Sequence, residues 1–370
     1  MKIALITEVI SLHSGSKSPV ELGEYLAGKN QVTIIAYQAK SDQGLLTKLK
    51  KRGIKIFLIK PYKIPLGKFP AAFKCLPVLK HHQLISFHGS PATFLVAKIS
   101  GIPIVTTYYG TQLNAYLEKF TPDHKPNLKD CFLNRLGNQI ILLVQKTYLN
   151  LSSQVIAISR YTAWEAWHLY RKKIPFIYLG VNPLSGNHRR PTVNRRPGVT
   201  ILSVSRLTPY KGFHLLIQAV KKTGRRVNLQ LVGSIPRSKY LTYLNKIKSA
   251  QTKIGVNISQ QKLSFLYRQC DFYATCDRYL FFGLPPVEAA LSGKPTVALN
   301  YCAAREIIKH QQTGLVAENL NQFVRYLKTL IDNPPLRHKM GQQAKKRAER
   351  FFSWPRALRQ YQRLFNNVIK

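Results

Sequence analysis

Short runs of apolar and β-branched residues recur along the chain, separated by longer stretches in which apolar positions return every three or four residues. The runs Lys2–Thr7, Val32–Tyr37, Lys55–Ile59, Leu84–Phe87, Ile104–Tyr108 and Val155–Ile158 are almost continuously apolar, as strands buried on both faces are. Their alternation with amphipathic stretches predicts a parallel, doubly wound sheet with helices on both faces. Residues 182–198 interrupt the rhythm with prolines, glycines and arginines and almost no apolar side chain, and they read as an interdomain linker. The rhythm restarts at Thr200–Val204, Asn228–Val232, Asp271–Thr275 and Thr296–Leu299, which predicts a second doubly wound unit. The stretch Leu336–Ile369 is helical and basic on one side, and Pro355 is expected to kink or break it. The expected division is a first α/β domain over 1–181, a linker over 182–198, a second α/β domain over 199–350 and a terminal helix over 351–370.

A length of 370 residues suits two domains of common size. The hydrophobic fraction is 45%, yet no stretch approaches the roughly 18 consecutive apolar residues of a membrane span. The opening MKIALIT reads as a strand rather than an export signal, and five scattered cysteines without a CxxC pair indicate neither a disulfide framework nor a zinc cluster. A reducing cytoplasm fits this composition. Charge changes the picture most, because 57 Lys+Arg against 15 Asp+Glu leave a net +42, dense at Lys48–Lys63, His188–Arg196 and Lys339–Arg350. Such an excess points to a large anionic partner, and ordinary solvated faces of a generally basic protein account for it equally well. No nucleic-acid motif accompanies the charge, so nucleic-acid binding ranks last among the possible functions.

Open parallel sheets bind ligands outside the carboxyl ends of their strands, which places the chemistry in the loops that follow them. The first loop, Glu8–Pro19, carries Gly15 among small polar residues at a helix start, where amides face an anion as readily as they make a plain turn. The fingerprint GxGxxG is absent, which argues against a dinucleotide oxidoreductase. In ILSVSRLTPYKGFHLLIQAV, Ile201–Val220, a strand leads into a loop holding Arg206 and Lys211 and then into an amphipathic helix beginning near Gly212. Planar bidentate donors from arginine and a mobile point charge from lysine at a helix start suit a diphosphate, the competing reading being two solvated loop cations. In FFGLPPVEAALSGKP, Phe281–Pro295, a Gly-Leu-Pro-Pro turn offers the amides of Gly283 and Leu284 and feeds a helix with Glu288 at its start. That carboxylate suits sugar hydroxyls, and it equally suits a helix cap.

At these two segments the chain resembles glycosyltransferase family 4, whose motifs read roughly GRLxxxKG and EGFGLPPLEAMACGxP; here SRLTPYKG and LFFGLPPVEAALSGKP occupy those places. The likeness continues in order and spacing through IAISRYT (Ile156–Thr162), YLGVNP (Tyr178–Pro183), LVG (Leu231–Gly233), LYRQCDFY (Leu266–Tyr273), REII (Arg305–Ile308) and FSWPRALRQY near the end. The resemblance implies a GT-B fold of two Rossmann-like domains facing across a cleft, with the last helix crossing back to the first domain. It implies a retaining transferase that moves a sugar from a nucleotide-diphosphate donor to a glycan or lipid-linked acceptor, with no metal or other cofactor. Arg206 and Lys211 would hold the diphosphate and, with Glu288 on the ribose hydroxyls, form the catalytic set. Gly15, Gly283, Leu284 and Glu306 would complete the donor site.

Three departures fall on the sugar pocket. The acid eight positions before Glu288 is replaced by Leu280, the histidine of the family's T-x-H-G turn by Tyr109 in TYYG, and the GG-x-P-E loop reads CAARE, with Ala303 and Ala304 for the glycines. Tyr109, Asp277 and Leu280 are therefore the candidate sugar or acceptor contacts. A second reading keeps the nucleotide-sugar or anionic-glycan binding and drops efficient chemistry. The basic, aromatic-dotted stretch Lys48–Lys80, with Phe57, Tyr62, Phe69 and Phe73, suggests docking on an anionic membrane at the inner face of the plasma membrane, its rival being a solvated sheet edge.

Overall fold

The computed structural model describes residues 1–12, 17–37, 43–63, 66–114, 116–117, 120–183, 198–234 and 238–369. Gly15, most of the expected linker and the basic stretch His188–Arg196 lie outside the described residues. The chain forms two compact units, one comprising Met1–Thr111, Ile140–Gly180 and Trp354–Lys370, the other Gln112–Gln139 and Val181–Ser353.

The first unit is built on β1 (Lys2–Thr7), β2 (Gln31–Tyr37), β3 (Lys55–Ile59), β4 (Leu84–His88), β5 (Ile104–Tyr108) and β6 (Gln154–Ala157). They pair in parallel in the order β3-β2-β1-β4-β5-β6, with Ile3 in register with Val32 on one side and Leu84 on the other. Both faces are covered, which is why these strands read as unbroken apolar runs. One core gathers Ile3, Leu5, Val32 and Ile34 with helices Lys17–Leu26, Gln43–Lys51 and Trp354–Ile369; the other gathers Ile6, Ile35 and Phe87 with helix Pro91–Ile99.

The terminal stretch does break as the proline required. Helix Pro334–Phe351 ends where Phe352 leaves helical geometry at φ −118°, and Pro355 is the second residue of Trp354–Ile369, where a missing N–H leaves no bond unmade. The last helix lays Trp354, Tyr361 and Phe365, all buried, on the first unit. The Trp354 indole donates to Glu21 Oε2 at 3.2 Å, and its ring stacks on Tyr25 at 5.3 Å.

The second unit pairs β7 (Val199–Val204), β8 (Val227–Gly233), β9 (Thr252–Val256), β10 (Phe272–Thr275), β11 (Thr296–Leu299) and β12 (Gly314–Ala317) in the order β12-β11-β10-β7-β8-β9, again all parallel. The edge strands β9 and β12 escaped the sequence pattern: TKIGV keeps a lysine and a glycine at a half-exposed edge, and GLVA is only four residues long. Strand order reverses between β7 and β10, the switch point at which doubly wound sheets bind ligands.

Candidate active site

The loops leaving β7 and β10 are joined at that switch point. Residues Pro209–Lys211 form one tight helical turn, and Gly212 follows at φ 70°. A Cβ at Gly212 would stand 2.4 Å from the Cys276 carbonyl oxygen, so only glycine lets the first loop lie against the second. The Arg278 amide then donates to the Tyr210 carbonyl at 3.1 Å. Arg206 is exposed with its guanidinium carbon 5.7 Å from the Tyr210 ring centroid, and Lys211 Nζ is 5.2 Å from the same centroid. Two cations thus flank one aromatic ring at the head of helix Phe213–Lys222, an arrangement suited to a phosphorylated anion. Asp277, a candidate sugar or acceptor contact, is ion-paired with Lys211: Nζ donates to Oδ2 at 2.6 Å, while the Tyr279 amide donates to Oδ1 at 2.9 Å.

The second motif opens with Gly283 at φ 80° and ψ 73°, ahead of helix Leu284–Leu291, whose Pro285 and Pro286 have no N–H to offer. Glu288 requires a correction, because it is the fifth residue of that helix rather than its start. It is buried, and its Oε2 accepts from the Tyr267 hydroxyl at 2.9 Å. Burial, reinforced by the Glu288 carboxylate, pushes the Tyr267 hydroxyl well above the ordinary tyrosine range and keeps it a donor. Leu280 is also buried, with its side chain packed where a Cβ on Gly283 would fall and its carbonyl accepting from the Ala303 amide at 3.0 Å. Glu306 is half-buried on the short helix Ala304–Ile307, and its backbone carbonyl accepts from Arg347 at 2.7 Å. The loop before it requires a second correction. Counted back from Glu306, the two glycine places of a five-residue GG-x-P-E loop are Cys302 and Ala303, and Cys302 holds the left-handed backbone, φ 52°, that a glycine there would adopt freely.

In the first unit Tyr109 turns its hydroxyl onto His88 Nδ1 at 2.9 Å, and His88 Nε2 lies 3.0 Å from Ser86 Oγ. Burial lowers the His88 imidazole to about 3, so the ring is neutral and relays hydrogen bonds between the two hydroxyls. His88 and Tyr109 line a pocket of about 100 Å³ at the carboxyl ends of β4 and β5, which Gln145 and Tyr148 also line. The turn that carries Tyr109 is fixed by Glu165, whose Oε2 accepts from the Tyr108 hydroxyl at 2.6 Å and from the Thr111 amide at 2.8 Å.

Arg206, Lys211 and Asp277 therefore come together, Leu280, Gly283 and Ala303 adjoin one another, and Glu288 answers to Tyr267. Sequence reasoning missed His88, Tyr210 and Tyr267. The position of His88 at a strand end beside Gly89 was the one available signal, since a tyrosine among nineteen carries none.

Residues 186–347 match the family described as glycosyl transferases group 1, and residues 16–183 match glycosyltransferase family 4. A glycosyltransferase of Haemophilus influenzae described as uncharacterised is 29% identical over 157 residues, 40% of this chain and 44% of that protein. The chain spans about half the length of the curated relatives it matches. Among solved structures, sucrose-phosphate synthase from Thermosynechococcus elongatus superposes with a TM-score of 0.78 at 16% identity, over 100% of this chain and 99% of that one. An Anabaena protein crystallised with UDP and glucose superposes with a TM-score of 0.76 at 18% identity, over 99% and 100% respectively. These likenesses show the fold, GT-B with two Rossmann-like domains.

Proposed function

We propose that this chain, which belongs to the group 1 glycosyltransferases of the family 4 type, transfers a sugar from a nucleotide-diphosphate donor to a hydroxyl of a glycan or lipid-linked acceptor. The observation that carries the reading is the convergence of Arg206 and Lys211 on the Tyr210 ring at the switch point of the second unit. The UDP in the Anabaena structure supports a diphosphate in this role. In the proposed reaction the bond from the anomeric carbon to the diphosphate oxygen breaks, Arg206 and Lys211 offset the charge released there, and the acceptor oxygen bonds to that carbon while its proton passes to the leaving diphosphate. Retention of configuration follows the family 4 pattern. We place the enzyme in the cytoplasm, peripheral on the inner face of the plasma membrane, where a lipid-linked acceptor is presented. Calorimetric titration with UDP, GDP, ADP and their nucleosides tests the donor site. Charge-assisted hydrogen bonds contribute about 1.5 to 3 kcal/mol, so Arg206→Ala or Lys211→Ala should weaken diphosphate binding roughly tenfold to more than a hundredfold. Nucleoside binding should be unchanged, and undiminished diphosphate affinity in both variants would refute the site.

A second reading, a GT-B scaffold that binds donor without turnover, is favoured by two observations: Leu280 is buried and apolar where the family has an acid, and Lys211 is already engaged by Asp277. Time-dependent release of nucleoside diphosphate from a panel of nucleotide sugars separates the two.

A further inference from the structure

We propose that the outer face formed, within the first unit, by helix Pro91–Ile99, the part of helix Leu128–Leu151 from Ile140 onward and helix Arg160–Tyr170 docks on an anionic lipid bilayer. In the part of Leu128–Leu151 that belongs to the first unit, Ile140 and Leu143 are exposed, Leu143 by 67%, and their three-residue spacing puts them on one side of the helix facing water. Leu95 and Ile99 extend the apolar surface on Pro91–Ile99, which is locked to the long helix by the Phe94 and Tyr148 rings at 4.5 Å and by Lys98 Nζ donating to the Leu151 carbonyl at 3.2 Å. Arg160–Tyr170 joins the long helix through a core shared by Leu149 and Ala166, and it exposes Trp164 by 52% and Trp167 by 38%. Amphipathic rings of this kind settle at a membrane interface, and an apolar surface of this extent has no reason to face water in an isolated protein.

The charge decides the occupant. The only carboxylates on the three helices, Asp130 and Glu165, are buried. The exposed ionic groups around the apolar residues are Lys98, Lys146, Arg160 and, just beyond, Arg171 and Lys173, the last two lying 5.9 and 5.3 Å from the Trp167 ring. A second copy of a chain with net charge +42 would set cations against cations across such a face, whereas an anionic leaflet neutralises them while taking up the apolar stripe. The proposal deepens the reading that the acceptor is presented at a membrane, but its evidence and its test are independent of turnover.

The chain's tryptophans report on it directly. Trp354 is 1% exposed and already shielded, so any blue shift of emission comes from Trp164 and Trp167. With vesicles of equal parts phosphatidylglycerol and phosphatidylcholine, the full chain should sediment with the lipid and its emission should shift to the blue; with phosphatidylcholine alone it should do neither. Ile140→Asp combined with Leu143→Asp should weaken partition at least tenfold while leaving the thermal midpoint unchanged, since both side chains are exposed. Co-sedimentation without an emission shift, undiminished binding by the double variant, or loss of binding only when Phe69 and Phe73 are replaced by alanine would each overturn the proposal. So would a lipid-free dimer that the same double variant dissolves.

Discussion

In the proposed donor site, a carboxylate 2.6 Å from the Lys211 ammonium sets how strongly that lysine would meet a phosphate. An incoming diphosphate must share Lys211 with Asp277, and its own charge is repelled by the same oxygen. Asp277→Asn preserves the shape and the acceptor for the Tyr279 amide while removing the repulsion. At an effective dielectric constant appropriate to a protein surface, nucleoside diphosphate binding should tighten by roughly 1 kcal/mol, or about fivefold. If Asp277 instead served the sugar, the variant would weaken nucleotide-sugar binding and leave nucleoside diphosphate binding alone. Parallel titrations with UDP and UDP-glucose distinguish these outcomes.

Between elements, the end of β5 is held to helix Arg160–Tyr170 by one carboxylate. Glu165→Ala would leave the Thr111 amide without its partner and the buried Tyr108 hydroxyl one bond short, a loss of about 2 to 4 kcal/mol, whereas Glu165→Gln keeps an acceptor in place and should cost about 1 kcal/mol. Burial raises Glu165 above the ordinary carboxylate range. The folded chain therefore retains a proton that the unfolded chain releases over the window between the ordinary and the raised value. Glu165 then contributes stability that is present below that window and lost as pH rises through it. Urea denaturation across this range should show a decline in the wild type that is shallower in Glu165→Gln.

For the molecule as a whole, the last helix is part of the core of the first unit rather than an appendage. Trp354 is buried against Glu21 and Tyr25, so Trp354→Ala should cost about 3 to 5 kcal/mol and lower the melting temperature by several degrees, measured by near-ultraviolet circular dichroism. If the helix merely lay on the surface, the midpoint would barely move. The net charge of +42 belongs to the same scale: like charges crowded on one chain oppose compaction, and the melting temperature should therefore rise with added salt.

Ten of the twelve strands among the described residues were legible in the sequence because burial on both faces writes an apolar run directly into it. The Arg206–Lys211 loop was legible too, since a turn that must pass against another strand end needs Gly212 at a set distance from its cations. Pro355 marked the break before the last helix by local sterics. Tertiary structure alone decided the rest. Asp277 meets Lys211 from 66 positions away, Tyr267 finds Glu288 from 21, His88 finds Tyr109 from 21, and Trp354 reaches Glu21 from 333. Polar side chains carry no periodicity that announces a partner. Which carboxylate serves a ligand and which is consumed within the protein follows from the packing of helices and loops around the two sheets, not from the order of residues.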